Sequence, residues 1–232
     1  AQPHHVRQIM GQKCNDWSDD DIADVVKAMR EGRVVTIFGD GSVKDGRGSH
    51  AYRIMPHDDI QQQGGTITAG AVTNGDSRWI TSLRTEQMSQ LGALYALQAI
   101  AVTYGVEDTT STLLFRYDNQ ESLRRITLVE TFYADASPLA TDYDVWAEIA
   151  RVCERFPNAT VEESWVKDHQ DNGDEEITPA AQHNIDMDAL AEHHRESSEV
   201  MPPPPFFSSD KAQIQLGGMP ITQGFHQQLR LH

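Results

Sequence analysis

Cysteine is nearly absent. The 232 residues hold two, Cys14 and Cys153, far apart and in no CxxC spacing, which excludes a disulfide framework and a cysteine-based zinc site. Both are read as free thiols of a reducing compartment. No stretch approaches the roughly 20 apolar residues that cross a bilayer, and the first residues lack the apolar block of a signal peptide. An intracellular protein with no membrane segment is therefore expected, in cytoplasm or nucleus. Internal repeats are lacking too. Positive charge is scarce: 19 Lys and Arg against 35 Asp and Glu leave a net charge of −16, which argues against holding nucleic acid by bulk electrostatics. The deficit is local, however. Residues 130–200 bear 18 acidic and 4 basic side chains, whereas residues 77–129 bear five of each. A neutral middle can face phosphates; the acidic segment repels them unless cations sit there.

What is present suits one domain of ordinary size with extensions, since 38% of the residues are hydrophobic and 16 more are glycine. The chain starts at Ala1, as expected of a processed chain or of a piece cut from a longer one. Ser18, Asp21 and the helical spacing of Ile22, Val25, Val26 and Met29 predict a capped helix ending at Gly32. Runs 33–38, 48–55 and 66–72 predict an antiparallel meander, the first run stopping at a Gly39–Ser42 turn. A long helix follows over 84–104, then a strand over 112–117, helices over 120–131 and 143–156, a strand over 160–166, a polar acidic insertion over 171–179, and a last helix from about 184 to 197. This order predicts an α/β domain, a mixed five-stranded sheet flanked by helices, over residues 33–200. Residues 1–32 form an N-terminal extension with a helix. Four consecutive prolines, 202–205, open a tail over 201–232. Within it, alternation through Gln213–Leu216, Gly217–Gly218 and Ile221 predicts a hairpin.

Four acidic residues stand at telling places: Asp40 at the end of the first strand, Glu86 opening the long helix, Asp118 ending the fourth strand, and Asp188 in the first turn of the last helix. A sheet with its first and fourth strands adjacent brings Asp40 and Asp118 side by side. Carboxylates that close repel by several kcal/mol and are tolerated when cations neutralise them. Hard oxygen ligands point to Mg2+ or Mn2+. Simpler roles compete: Asp40 as a turn residue, Glu86 as a favourable charge at a helix N-terminus, Asp118 as an N-cap, and Asp186 in place of Asp188. Arg124 and Arg125 suit either phosphate contact or a plain surface face.

Taken in order, Phe38–Ser42, Arg84–Glu86 with its following helix, Asp118–Gln120, Trp165–His169 and Asp188–Ala191 make the chain resemble a type 1 ribonuclease H domain across residues 33–197. Tyr143–Trp146 and the Ala212–Thr222 stretch resemble the versions fused to reverse transcriptases in retroelements. The resemblance implies a ribonuclease H-like fold and hydrolysis of the RNA strand of RNA/DNA hybrids by two metal ions. It implies Asp40, Glu86, Asp118 and Asp188 as metal ligands, His169 as a proton carrier or aid to product release, and Gly41, Ser42 and Gln120 as contacts to the hybrid minor groove. A fused or neighbouring reverse transcriptase is the implied partner. Asp168 stands where the family usually has glycine, and no basic protrusion for gripping hybrid is visible. A contrasting expectation follows from the acidity: a catalytically weak ribonuclease H-like docking module within a polymerase or ribonucleoprotein assembly.

Overall fold

The computed structural model describes residues 4–13, 17–57, 65–75, 77–78, 80–132, 136–137, 140–167, 177–197, 207, 215–216 and 219–220. Helix α1 (His4–Met10), strand β1 (Gln12–Lys13) and helix α2 (Asp19–Arg30) come first. Strands β2 (Val35–Lys44), β3 (Arg47–Met55) and β4 (Ile67–Val72) precede α3 (Ser82–Tyr104), β5 (Thr112–Tyr117) and α4 (Gln120–Thr127). Then follow α5 (Tyr143–Cys153), β6 (Thr160–Trp165), α6 (Pro179–Ser197) and the pair β7 (Gln215–Leu216) and β8 (Met219–Pro220).

The sheet runs β1-β4-β3-β2-β5-β6. Strands β2, β3 and β4 form the expected antiparallel meander, and β5 and β6 lie parallel to β2. All five expected strands form a mixed sheet flanked by helices, and the tail hairpin is present as β7 with β8. The sixth strand, β1, is an addition from the N-terminal extension. It pairs Gln12 with Gly70 and Lys13 with Ala69, and so covers the β4 edge, where unpaired backbone groups would otherwise be left open. Val6 and Ile9 of α1 are buried, and Tyr52 donates its hydroxyl to the Met10 carbonyl at 2.7 Å. Helix α2 begins as its sequence predicts. Ser18 accepts from the Asp21 N–H while the Asp21 carboxylate accepts from the Ser18 N–H, a reciprocal cap of about 1 kcal/mol.

Two expectations need correction. Strand β2 does not stop at Phe38 but continues to Lys44, with Asp40 paired to Ala51 and Gly41 to His50. Gly39 and Gly41 are there for close approach, not for a turn. A side chain at Gly39 would collide with Ser89 and Tyr117, and one at Gly41 with Thr85 at the start of α3. The turn is Asp45–Gly46, both at positive φ (52° and 73°), a two-residue hairpin loop. Helix α6 likewise starts earlier than expected, at Pro179, because Thr178 caps it by accepting from the Ala181 N–H at 3.2 Å and proline suits a first helical position. Asp188 therefore lies in its third turn.

The two faces of the sheet are unequal. One packs against α1, α2, α3 and α5 in a large core that includes Ile37, Ile54, Leu91, Leu94, Phe115 and Trp146. Phe207, beyond the prolines, is fully buried in that core with its ring edge-on to His5. On the other face the buried apolar contact among the described residues is smaller: Phe38, Ala51 and Met55, covered by Met187 and Ala191 of α6. Polar clamps complete this second contact. Arg53 bonds Asp186 at 2.9 Å, Ser49 donates to the Ala191 carbonyl, and Arg195 donates to the Ser42 hydroxyl at 2.9 Å.

Candidate active site

Four elements deliver carboxylates to one open cleft of about 330 Å³, lined by Asp40, Gly41, Ser82, Glu86, Asp118, Asn119 and Asp188. Alternation along β2 puts Asp40 on the α6 side of the sheet, the same side as Phe38. Glu86 comes from the second turn of α3, which the glycine pair of β2 lets close in. Asp118 follows directly on β5, adjacent to β2. Asp188 reaches in from α6, and Asp186, two residues earlier, does not: it faces Arg53. Residues two apart on a helix point some 200° from each other, so only one of the pair serves the cleft.

The start of α3 is locked in place by a buried ion network. Thr81 caps the helix, accepting from the Arg84 N–H at 3.1 Å. Arg84, fully buried, donates to Asp142 at 3.1 Å, to Asp144 at 3.0 and 2.9 Å, and to the Asn74 carbonyl at 2.9 Å. Glu86 is two residues on and inherits that fixed backbone.

The electrostatics are those of a crowded acidic centre. Ligand oxygens of Asp40, Glu86 and Asp118 lie within 4.8 Å of one another. Burial, then the charge of Asp118, pushes the Asp40 carboxyl far above its ordinary range. Burial, then the charges of Asp40 and Asp118, does the same to Glu86. The Asp40 carboxylate also accepts from the Gly41 N–H at 2.6 Å. Glu86 Oε2 is buried without a hydrogen-bond partner. An orphaned oxygen inside an all-carboxylate cluster fits a hard divalent cation such as Mg2+ or Mn2+, which supplies both the missing partner and the missing charge.

Of the expected substrate contacts, Gly41 lines the cleft. The Ser42 hydroxyl is taken up by Arg195, and Gln120 is exposed at the first residue of α4. Asn119, within the Asp118–Gln120 signature but not expected as a contact, and Ser82, which did not stand out in the sequence, also line the cleft. Asn119 also caps α4, accepting from the Ser122 N–H at 3.0 Å. His169, Asp168 and the acidic run 171–176 lie outside the described residues. Arg125 is structural: it is buried, donates to the Thr141 carbonyl at 2.7 Å and lies over the Trp146 ring. Arg124 is an exposed partner of Glu121.

The architecture, a mixed sheet with three strands in meander and two parallel ones, flanked by helices, is that of the ribonuclease H fold. Solved structures of that fold resemble the chain at low identity. A ribonuclease H1 from a compost metagenome, LC11, in complex with an RNA/DNA hybrid, is 17% identical, with a TM-score of 0.48 over 70% of this chain and 97% of that one. The ribonuclease H domain of prototype foamy virus is 12% identical, with a TM-score of 0.47 over 70% and 94%. The ribonuclease H1 of Halobacterium salinarum is 19% identical, with a TM-score of 0.40 over 72% and 100%. No protein-family model matches the chain, and no curated protein does. Among the described residues no helix is long and apolar enough to cross a membrane.

Proposed function

We propose that the chain is a metal-dependent endoribonuclease that hydrolyses the RNA strand of RNA/DNA hybrids. The observation that carries this reading is the convergence of Asp40, Glu86, Asp118 and Asp188 from four separate elements on one cleft. A chain has no folding reason to crowd uncompensated carboxylates. Asp40, central in the cluster, would bridge two ions; Glu86 and Asp118 would hold one of them and Asp188 the other. When bound, such ions activate a water and stabilise the oxygen leaving the phosphate. The chain's own residues place and charge the site: Asp40 and Glu86 give up their protons to charge it, and Gly41 lets the start of α3 close in so that Glu86 reaches the cluster. His169 would carry a proton at the cleft mouth, and Gly41, Ser42 and Gln120 would face the minor groove, where 2′-hydroxyls distinguish RNA from DNA. In this reading the chain acts beside a fused reverse transcriptase of a retroelement, which supplies the hybrid affinity that its acidic surface withholds.

The test is cleavage of a labelled hybrid with Mg2+ or Mn2+ by the wild-type chain and by Asp118→Asn. Metal-dependent cutting of the RNA strand that vanishes in the variant is the expected result. The net charge of −16 favours the second reading, a docking module of a polymerase assembly. An intact hybrid, even with a reverse transcriptase added, would favour docking over catalysis.

A further inference from the structure

Asp118 is gripped from two directions. The indole N–H of Trp165, at the end of β6, donates to its main-chain carbonyl at 2.9 Å. From α6, Asn184 Nδ2 donates to its carboxylate oxygen Oδ2 at 3.2 Å. Asn184 is buried, with 5% of its surface exposed, and its other amide atom, Oδ1, has no partner. A buried amide with one unmet acceptor is unfavourable by about 1–3 kcal/mol, so folding alone does not explain an asparagine there. Asn184 lies one helical turn before Asp188 and shares its face of α6. One helix thus supplies both a carboxylate for the cleft and a restraint on another.

Resting on the reading of the cleft as a cation site, we propose that Asn184 is a positioning residue for the metal: by donating to Oδ2 of Asp118 it fixes the rotation of that carboxylate in the cluster with Asp40 and Glu86. A neutral donor suits this task. Lysine or arginine in its place would neutralise Asp118 and compete with the ion, whereas an amide orients it and leaves its charge available. Partners behind a metal ligand of this kind contribute about 10–100-fold to metal affinity.

Asn184→Leu tests the proposal, because leucine has nearly the same shape as asparagine and lacks the donor. It also removes the unpaired acceptor, so folding stability should hold or rise. Mn2+ alone, titrated into the intact chain and followed by the loss of the free-ion electron paramagnetic resonance signal, should bind about tenfold or more weakly in the variant. In cleavage assays the metal concentration giving half-maximal rate should rise, with hybrid affinity unchanged. Asn184→Ala serves as a second variant and should weaken Mn2+ binding as much, with some loss of stability. Wild-type Mn2+ affinity in either folded variant overturns the proposal, and so does loss of the folded state in both, which would assign Asn184 to the core. A wild-type chain that takes up no Mn2+ and cuts no hybrid would instead refute the reading of the cleft itself.

Discussion

Acidification should unfasten the N-terminal extension through His50. This imidazole is fully buried on β3, with Nε2 2.9 Å from the Ile9 carbonyl and Nδ1 3.0 Å from the Thr73 hydroxyl. Both contacts are met by the neutral tautomer, with Nε2–H donating and Nδ1 accepting. Burial lowers its pKa from 6.5 to about 4, against a smaller opposing effect of the Ile9 carbonyl, and nearby His194 adds to the lowering. Below pH 6.5 the unfolded chain binds a proton at this histidine that the folded chain refuses. Stability is therefore complete above that pH and lost on the way down to about 4. The gap corresponds to about 3 kcal/mol in all, of which about 2 kcal/mol is lost by pH 5. Urea unfolding of the wild-type chain and of His50→Gln, at about pH 7.5 and 5, measures it. Glutamine can still donate to Ile9 and does not titrate, and both chains keep Asp40 and Glu86, whose titration cancels in the difference. The wild type should lose about 2 kcal/mol more than the variant on acidification. Parallel losses would refute the assignment of the burden to His50.

Without cations, the carboxyls of Asp40 and Glu86, held above their ordinary range by burial and mutual repulsion, keep protons that the unfolded chain has released; stability should fall as pH rises beyond the usual carboxylate range. Mg2+ or Mn2+ should raise the melting temperature, more at alkaline than at acid pH, and a pH-independent increment in a thermal melt would contradict this. Arg84→Met should cost about 3–5 kcal/mol in urea unfolding, since Asp142 and Asp144 stay behind without their buried partner. Asp188→Asn should abolish hybrid cleavage, whereas Asp186→Asn, which loses only a partly exposed pair with Arg53 worth about 1 kcal/mol or less, should cleave normally.

Periodicity made most of the fold legible. Long apolar faces such as that of α3 and β-branched runs such as 112–117 announce themselves, and their order leaves few architectures open. The errors have local causes. Gly39 and Gly41 looked like a turn because glycine for positive φ and glycine for close approach are the same letter; only the position of Ser89 and Thr85 on α3 separates them. The true turn, Asp45–Gly46, was in view as a Asp-Gly pair. Strand β1 is two residues long and has no period to detect. Thr178–Pro179 was a helix start in the sequence, hidden by the acidic run before it. At the site, four carboxylates could be named from their places beside strands and helices. The choice of Asp188 over Asp186 follows from the Asp188–Ala191 stretch, and the phase of α6 puts Asp188 in the cleft and Asp186 on Arg53; Asn184 needed the observation that its amide meets Asp118.

The lopsided packing of the sheet makes the site a reporter of its own weakest joint. Asp40, Glu86 and Asp118 stand on elements bound into the large core, while Asp188 and Asn184 ride on α6, which is held by a five-residue apolar cluster and a few polar clamps. Detachment of α6 would require far less free energy than unfolding the sheet, and a detached α6 leaves a cation with an incomplete ligand set. Cation binding and helix docking are then one linked equilibrium. The ion tightens the helix by as much as the helix tightens the ion, and amide protons of α6 should be the first to slow their exchange when the cleft fills.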